Sequence, residues 1–166
     1  MSNTVRIWHE NLAVLGEDER LPLSSLQPDS HIHGGLRVQF GERMAPYLGF
    51  FGPDDVCFGQ WLEELWLTAQ AFQTSKEARH TFDEGEQGQP AFVFERAGEA
   101  AFFSIAASDF SEAEGDMDWQ HIEFSPEEFL EQHSRFRESF FAAIRASAPT
   151  VAEHWIQRHD PANRKS

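Results

Sequence analysis

Apolar residues recur at two spacings along the chain, and the spacing changes from element to element. Val5, Ile7 and His9 alternate with Arg6 and Trp8, the period-two pattern of a half-buried strand. Residues 16–30, rich in Pro, Ser and Asp, read as loop. Leu36, Val38 and Phe40 alternate with Arg37 and Gln39 and predict a second strand. A turn follows, and residues 47–51 are expected to be the strand that returns. Phe58, Leu62, Leu65, Ala69 and Phe72 then fall at helical spacing and predict a helix over 58–73. Trp61 and Trp66 widen its apolar face, and Glu63 and Glu64 lie on the polar side. Asp54 and Asp55 are placed to cap an initial turn before it.

Period two returns in the second half. Phe92 and Phe94 share one face of a strand, and Ala101, Phe103 and Ile105 one face of the next. The short turn at 97–99 makes the pair a hairpin. Residues 119–124 predict a further strand, with Ile122 and Phe124 on one face. Ser125, Pro126 and Glu128 then spell an N-cap, a proline at the first helical position and a capping-box glutamate. The helix they start is expected to run to about residue 146. Its stripe is Phe129, His133, Phe136, Phe140 and Ile144, widened by Leu130 and Phe141, and Arg135, Arg137 and Arg145 suit its middle and end. Pro149 breaks it, and a short helix over 150–159 and a frayed tail follow. Short hairpin links imply antiparallel pairing. The expected fold is α+β: a mainly antiparallel sheet with two principal helices packed on one face. It forms a single domain over 1–148, with a short C-terminal helix and flexible tail over 149–166.

Composition narrows the classes. A chain of 166 residues with 16 Phe and 5 Trp holds enough apolar bulk for one folded core, and it is too aromatic for wholesale disorder. It has no apolar run long enough to span a bilayer, and its opening residues lack the basic-then-apolar pattern of a secretory signal. One cysteine, Cys57, forms no internal disulfide, which fits a reducing compartment and a cytoplasmic location.

Charge changes the picture most. The net charge is −15. Between Thr81 and Glu131 there are fourteen acidic residues against the single basic Arg96. Such a chain repels phosphate backbones and anionic membranes, so neither nucleic acid nor a membrane is an expected partner. Its natural counterpart is a basic protein surface; the bland alternative is that the charge serves solubility alone.

Motifs for phosphate-binding loops and nucleophile elbows are absent. Cys57 follows Asp54, Asp55 and Val56, and acidic neighbours raise a thiol pKa, so a small buried apolar residue is the expected role. His31 and His33 fall on the same side of a strand, a spacing that metal sites use, but no third ligand is evident and Gly34 and Gly35 are expected to loosen the pair. No metal or cofactor is therefore expected; a small metal-dependent enzyme or ligand-binding module using His31 and His33 is the alternative. His121 and Glu123 alternate along a strand, as an acid–base pair or as solvated polar residues. His133, on an apolar stripe, is expected to be a core histidine with a hydrogen-bond partner. Residues 112–118 have a superficial likeness to a calcium loop, but the register fails and the flanks read as strands. The leading candidate site is an acidic partner-binding face of Asp83, Glu84, Glu86, Asp109, Glu112, Glu114, Asp116 and Asp118. Trp119 is either an anchor within it or a residue packed in the sheet.

Three features together resemble immunity proteins of bacterial polymorphic toxin and type VI secretion systems, including the WapI-like families. They are the strand pair with the aromatic helix GQWLEELWLTAQAF, the hairpin QPAFVFERAGEAAFFSIA, and the strand with capped helix DWQHIEFSPEEFLEQHSRFRESFF. The resemblance implies a non-catalytic protein that binds a cognate toxin stoichiometrically and blocks its action, and that is a monomer or weak dimer when free. A toxin with a basic active-site face fits the acidic surface, since carboxylates can imitate phosphates.

Overall fold

The first alternation forms β1 (Val5–Leu15), which lies between β2 (Arg20–Pro22) and β3 (Ile32–Phe40). Two short strands, β4 (Arg43–Met44) and β5 (Val56–Cys57), each pair antiparallel with β3 and complete a five-stranded sheet. After α1 (Phe58–Thr74) come β6 (Glu77–Phe82), β7 (Ala91–Ala97), β8 (Ala100–Ala106) and β9 (Ile122–Phe124), a second antiparallel sheet in sequence order. The helices α2 (Pro126–Ser147) and α3 (Ala152–His159) follow. The computed structural model describes residues 2–85 and 88–164. The α+β class is as expected, but there are two sheets rather than one. Asn3 joins their edges through a parallel bridge to Phe124. No helix among the described residues is long and apolar enough to cross a membrane.

Aromatic side chains fill the space between sheets and helices. Phe40 of the first sheet stacks on Phe103 of the second, with ring centroids 5.0 Å apart, and Phe58 of α1 stacks on Phe140 of α2 at 4.9 Å. Trp61 meets Phe82 and Phe92, and Phe72 meets Phe129. Each such pair contributes about 0.5–1.5 kcal/mol beyond the area it buries.

Local chemistry explains where the elements end. Ser125 caps α2 by accepting from the Glu128 N–H at 3.2 Å. The Glu128 carboxylate, expected to complete a capping box, instead accepts from Val5 N–H, and Gln132 accepts from Ile7 N–H. Two side chains of α2 thus satisfy the N-terminal part of the β1 edge, where β2 does not reach and no other described strand pairs. In β1 the pairing with β3 shifts between Glu10 and Ala13, where Asn11 has φ 55°. Gly34 lies under this bulge, and a Cβ there would come within 2.9 Å of Glu10 O.

Several sequence expectations are corrected. Residues 16–30 contain β2 and a 3-10 turn at Leu23–Ser25. Residues 47–51 form no strand: the chain folds back so tightly that a Cβ on Gly49 would lie 1.9 Å from Gly52 O. Strand β6, whose polar residues give little alternation, was not anticipated. The strand expected over 119–124 shrinks to β9, because Trp119 N–H bonds back to Asp116 O and His121 has φ 50°. Gly34 and Gly35 lie within β3 rather than in a loose loop. The C-terminal segment is built into the fold. Trp155 is fully buried and donates to Ser30 O at 2.9 Å. Asp160, expected in a frayed tail, is buried and takes a bidentate pair from Arg137 at 2.7 and 3.0 Å.

Candidate functional site

The fourteen carboxylates between Thr81 and Glu131 do not act as one face. Six are engaged on elements outside the two acidic loops, among them Glu123, which accepts from Ser2 Oγ. Glu95 pairs with Arg79, Glu99 with Lys76, Glu127 with Arg96 and Glu131 with Arg135, while Glu128 holds β1. What concentrates is the charge of two loops, one leaving β6 and one joining β8 to β9.

These loops are fastened together. Asp83 accepts from Ser108 Oγ and from Asp109 N–H, both at 2.7 Å. Gly85, at φ +76°, lies so close to Phe110 that a Cβ would come within 2.6 Å of it. Asp116 N–H bonds to Ile105 O at 3.0 Å, and the loop approaches the end of β8 so closely at Gly115 that a Cβ would lie 2.8 Å from Ile105 O. Glu84 is half-buried beside this junction, and Glu86 lies outside the described residues. Asp109, Glu112, Glu114 and Asp118 are exposed, and none of them takes part in an ion pair among the described residues.

A third segment, residues 43–50, completes the face. Tyr47 donates to Asp116 Oδ2 at 3.1 Å, and the neighbouring carboxylate holds the phenol above its ordinary range. Its backbone lies at φ 70°, unusual for a residue with a side chain. Gln89 bonds to Tyr47 O and Leu48 O and secures this segment from below. Tyr47 stands between two cavities. One, of about 520 Å³, is bounded by Met44, Phe50 and Pro53; the other, of about 440 Å³, by Pro90, Asp116 and Met117. Apolar side chains are unusually exposed here: Met117 at 93%, Phe110 at 73% and Tyr47 at 53%. The sequence reading found the acids but missed Tyr47, Met44 and Met117. The available signal was the chain's single tyrosine, in a loop dense with Gly and Pro.

Trp119 takes the packing role of the two considered for it. It is 7% exposed and packs edge-on against Phe40 and Phe103, while the Arg43 guanidinium covers its ring at 4.2 Å and donates to Asp118 O. It supports the acidic loop from beneath. The 112–118 stretch is flanked by strands, and its Asp116 carboxylate is taken by Tyr47 and Asp118 N–H.

The histidine pair separates. His31 precedes β3 and is exposed; His33 is in β3, buried, with Nδ1 2.8 Å from Asp55 Oδ1. Among the described residues no group of three or more His, Cys, Asp or Glu side chains is arranged to hold a metal ion. His33 faces Cys57 across the β3–β5 ladder. Burial pushes the Cys57 thiol up, but His33 and the N–H groups of Gln60 and Gly59 outweigh it, and the thiol lies below its ordinary value. The expectation from Asp54 and Asp55 had the opposite sign: Asp55 is turned to His33, and Asp54 to Arg37 at 2.9 Å.

The remaining candidates are also placed. His121, at positive φ outside β9, does not alternate with Glu123 on a strand; Glu123 accepts from Ser2 Oγ. His133 is 5% exposed, but its Nε2 has no hydrogen-bond partner among the described residues, contrary to expectation. Burial lowers its pKa to about 4, with Arg137 adding to the effect.

No family model, no curated protein and no solved structure matches the chain.

Proposed function

We propose that this protein is a stoichiometric inhibitor whose acidic face docks a basic protein surface without doing chemistry on it, in the manner of an immunity protein against a cognate toxin. The observation that carries this reading is the juxtaposition of apolar anchors with uncompensated carboxylates. Met117 and Tyr47 project beside Glu114, Asp116 and Asp118, with a cavity on either side of the tyrosine. Interfaces combine exposed aromatic and Met side chains with complementary charge: the first contribute affinity, the second on-rate and partner choice. The partner that fits presents basic residues around an apolar projection able to enter the groove beside Tyr47. Fastening of the loops by Asp83 and Gln89 reduces the ordering cost of binding.

The test is co-expression with the product of the adjacent upstream open reading frame. Pull-down, size-exclusion chromatography and growth rescue are then measured. The expected result is a 1:1 complex that relieves the partner's toxicity. The triple variant Glu114→Lys, Asp116→Lys, Asp118→Lys is expected to slow association by about tenfold or more at low salt and to flatten its salt dependence. Unchanged association would remove this face from the interface, and absence of both complex and toxicity would overturn the reading.

A further inference from the structure

We propose that Cys57, His33 and Asp55 form a nucleophilic site, separate from the acidic loops, that accepts a small acyl group from an ester or thioester and passes it to water. Three segments bring these residues together. Cys57 ends β5 and is the N-cap residue of α1; His33 is its direct partner in β3; Asp55 comes from the turn before β5. Asp55 is held at both oxygens. Oδ1 accepts from Arg20 at 3.1 Å and meets His33 Nδ1 at 2.8 Å, and Oδ2 accepts from Phe51 N–H at 3.2 Å. With Nδ1 committed to the carboxylate, Nε2 is the ring nitrogen left for the thiol. That is the nucleophile, base and orienting-group relation of cysteine and serine acyl transferases.

The helix contributes as well. The first N–H groups of α1 lack intrahelical partners, and the positive end of a 17-residue helix favours an anion at Cys57. His33 is raised, first by Cys57 and then by Asp55, against an opposing effect of burial, while the thiol is lowered. Both shifts favour a thiolate–imidazolium pair.

Cys57 also has somewhere to put a substrate. It lines a cavity of about 230 Å³ bounded by Ser30, His31, Gln60, Trp155 and His159. At about 30 Å³ per water-sized unit, that space admits an acyl group of a few non-hydrogen atoms and excludes a folded polypeptide. In the reaction, a Cys57 sulfur lone pair forms a bond to the carbonyl carbon and the carbonyl π pair moves to oxygen. Collapse breaks the bond to the leaving group, which departs with the proton from His33. Water then attacks the thioester and gives its proton to His33. Expulsion of the thiolate yields the carboxylic acid and restores the ion pair.

The probes are p-nitrophenyl acetate and iodoacetamide, applied to the full chain across pH. Besides His33, the titratable and charged groups around the thiol are Asp55, Arg20, His31 and His159. We expect a burst of p-nitrophenolate equal to the protein concentration, an acetyl adduct on Cys57 by mass spectrometry, and slower steady turnover. Alkylation should reach half its maximal rate below the pH of an ordinary thiol. Cys57→Ala should lose burst and adduct. His33→Ala should return the alkylation midpoint to the ordinary range and reduce acylation near pH 6 by about a hundredfold. Asp55→Asn, which retains the thiol and the imidazole, should move the pH profile in the same direction, marking Asp55 as a positioning residue. An ordinary alkylation profile in the unmodified protein would overturn the proposal whatever the variants do. So would a burst as fast in a folded His33→Ala protein, or an adduct that never turns over.

Discussion

Tyr47 and Asp116 are 69 positions apart in sequence, yet the tyrosine hydroxyl bonds to the carboxylate across 3.1 Å and couples two loops of the acidic face. Because Tyr47 is the chain's only tyrosine, its phenolate absorbance reports this contact alone. The phenol is expected to titrate above the ordinary tyrosine range, and Asp116→Asn should return it there. An unchanged midpoint in the variant would show that the two side chains are apart in solution.

Asp83 fastens the loop after β6 to the loop after β8 through Ser108 Oγ and Asp109 N–H. Asp83→Ala leaves that hydroxyl and amide to water. Hydrogen exchange should quicken across residues 108–113 while α2 stays protected. Loss of two hydrogen bonds to a charged acceptor in this half-buried setting should lower stability by about 1–3 kcal/mol. Unchanged exchange would mean that backbone packing at Gly85 and Gly115 holds the loop without the carboxylate.

His133 makes the fold acid-sensitive. Its folded pKa, about 4, lies below its value in an unfolded chain, so the unfolded state binds more protons between about pH 4 and 6.5. The stability it permits is full above about pH 6.5 and falls as pH drops toward 4, by at most about 3 kcal/mol. His9 and His159 are lowered chiefly by burial and act in the same sense; His33 is raised and opposes them. Urea unfolding of His133→Leu should show a shallower loss of stability over this range. An equal pH slope in the variant would assign the acid sensitivity to other groups.

Arg137 and Asp160 form a bidentate ion pair that docks the segment after α3 against α2. Both side chains are largely buried, so removing one partner leaves the other charge poorly solvated. Asp160→Ala should cost about 3 kcal/mol in denaturant unfolding. A double variant with Arg137→Met should recover part of the loss, because neither charge then remains stranded. Equal stabilities for the single and double variants would contradict the pair's isolation from water.

Elements with a strong local period were legible in sequence. Both long helices, the hairpin and the cap at Ser125 lie within a residue or two of expectation, because apolar spacing and capping chemistry are local. Strand β6 was invisible because its residues alternate only weakly, and its place is set by pairing with β7. At the candidate site, sequence located the acids but not their company. Tyr47 reaches Asp116 only through a fold-back no period announces, and Cys57 meets His33 only through a two-residue strand. Sequence proximity even gave the wrong electrostatic sign for that thiol. Asp54 and Asp55 are its neighbours along the chain, but His33 and the start of α1 are its neighbours in space.

The partners of β1 impose an order on biosynthesis. Its uncovered edge is closed by Glu128 and Gln132, and His9 lies 3.0 Å from Ser139, residues 123 to 130 positions further along. On a ribosome, β1 and β3 emerge and can pair long before α2 exists, so the nascent chain presents an open strand edge until α2 has been made. Closure waits for α2, more than a hundred residues after β1, which makes final folding dependent on distant contacts and slow relative to formation of the hairpin and helices. Chains released before α2 would display that edge permanently and be prone to pair with one another.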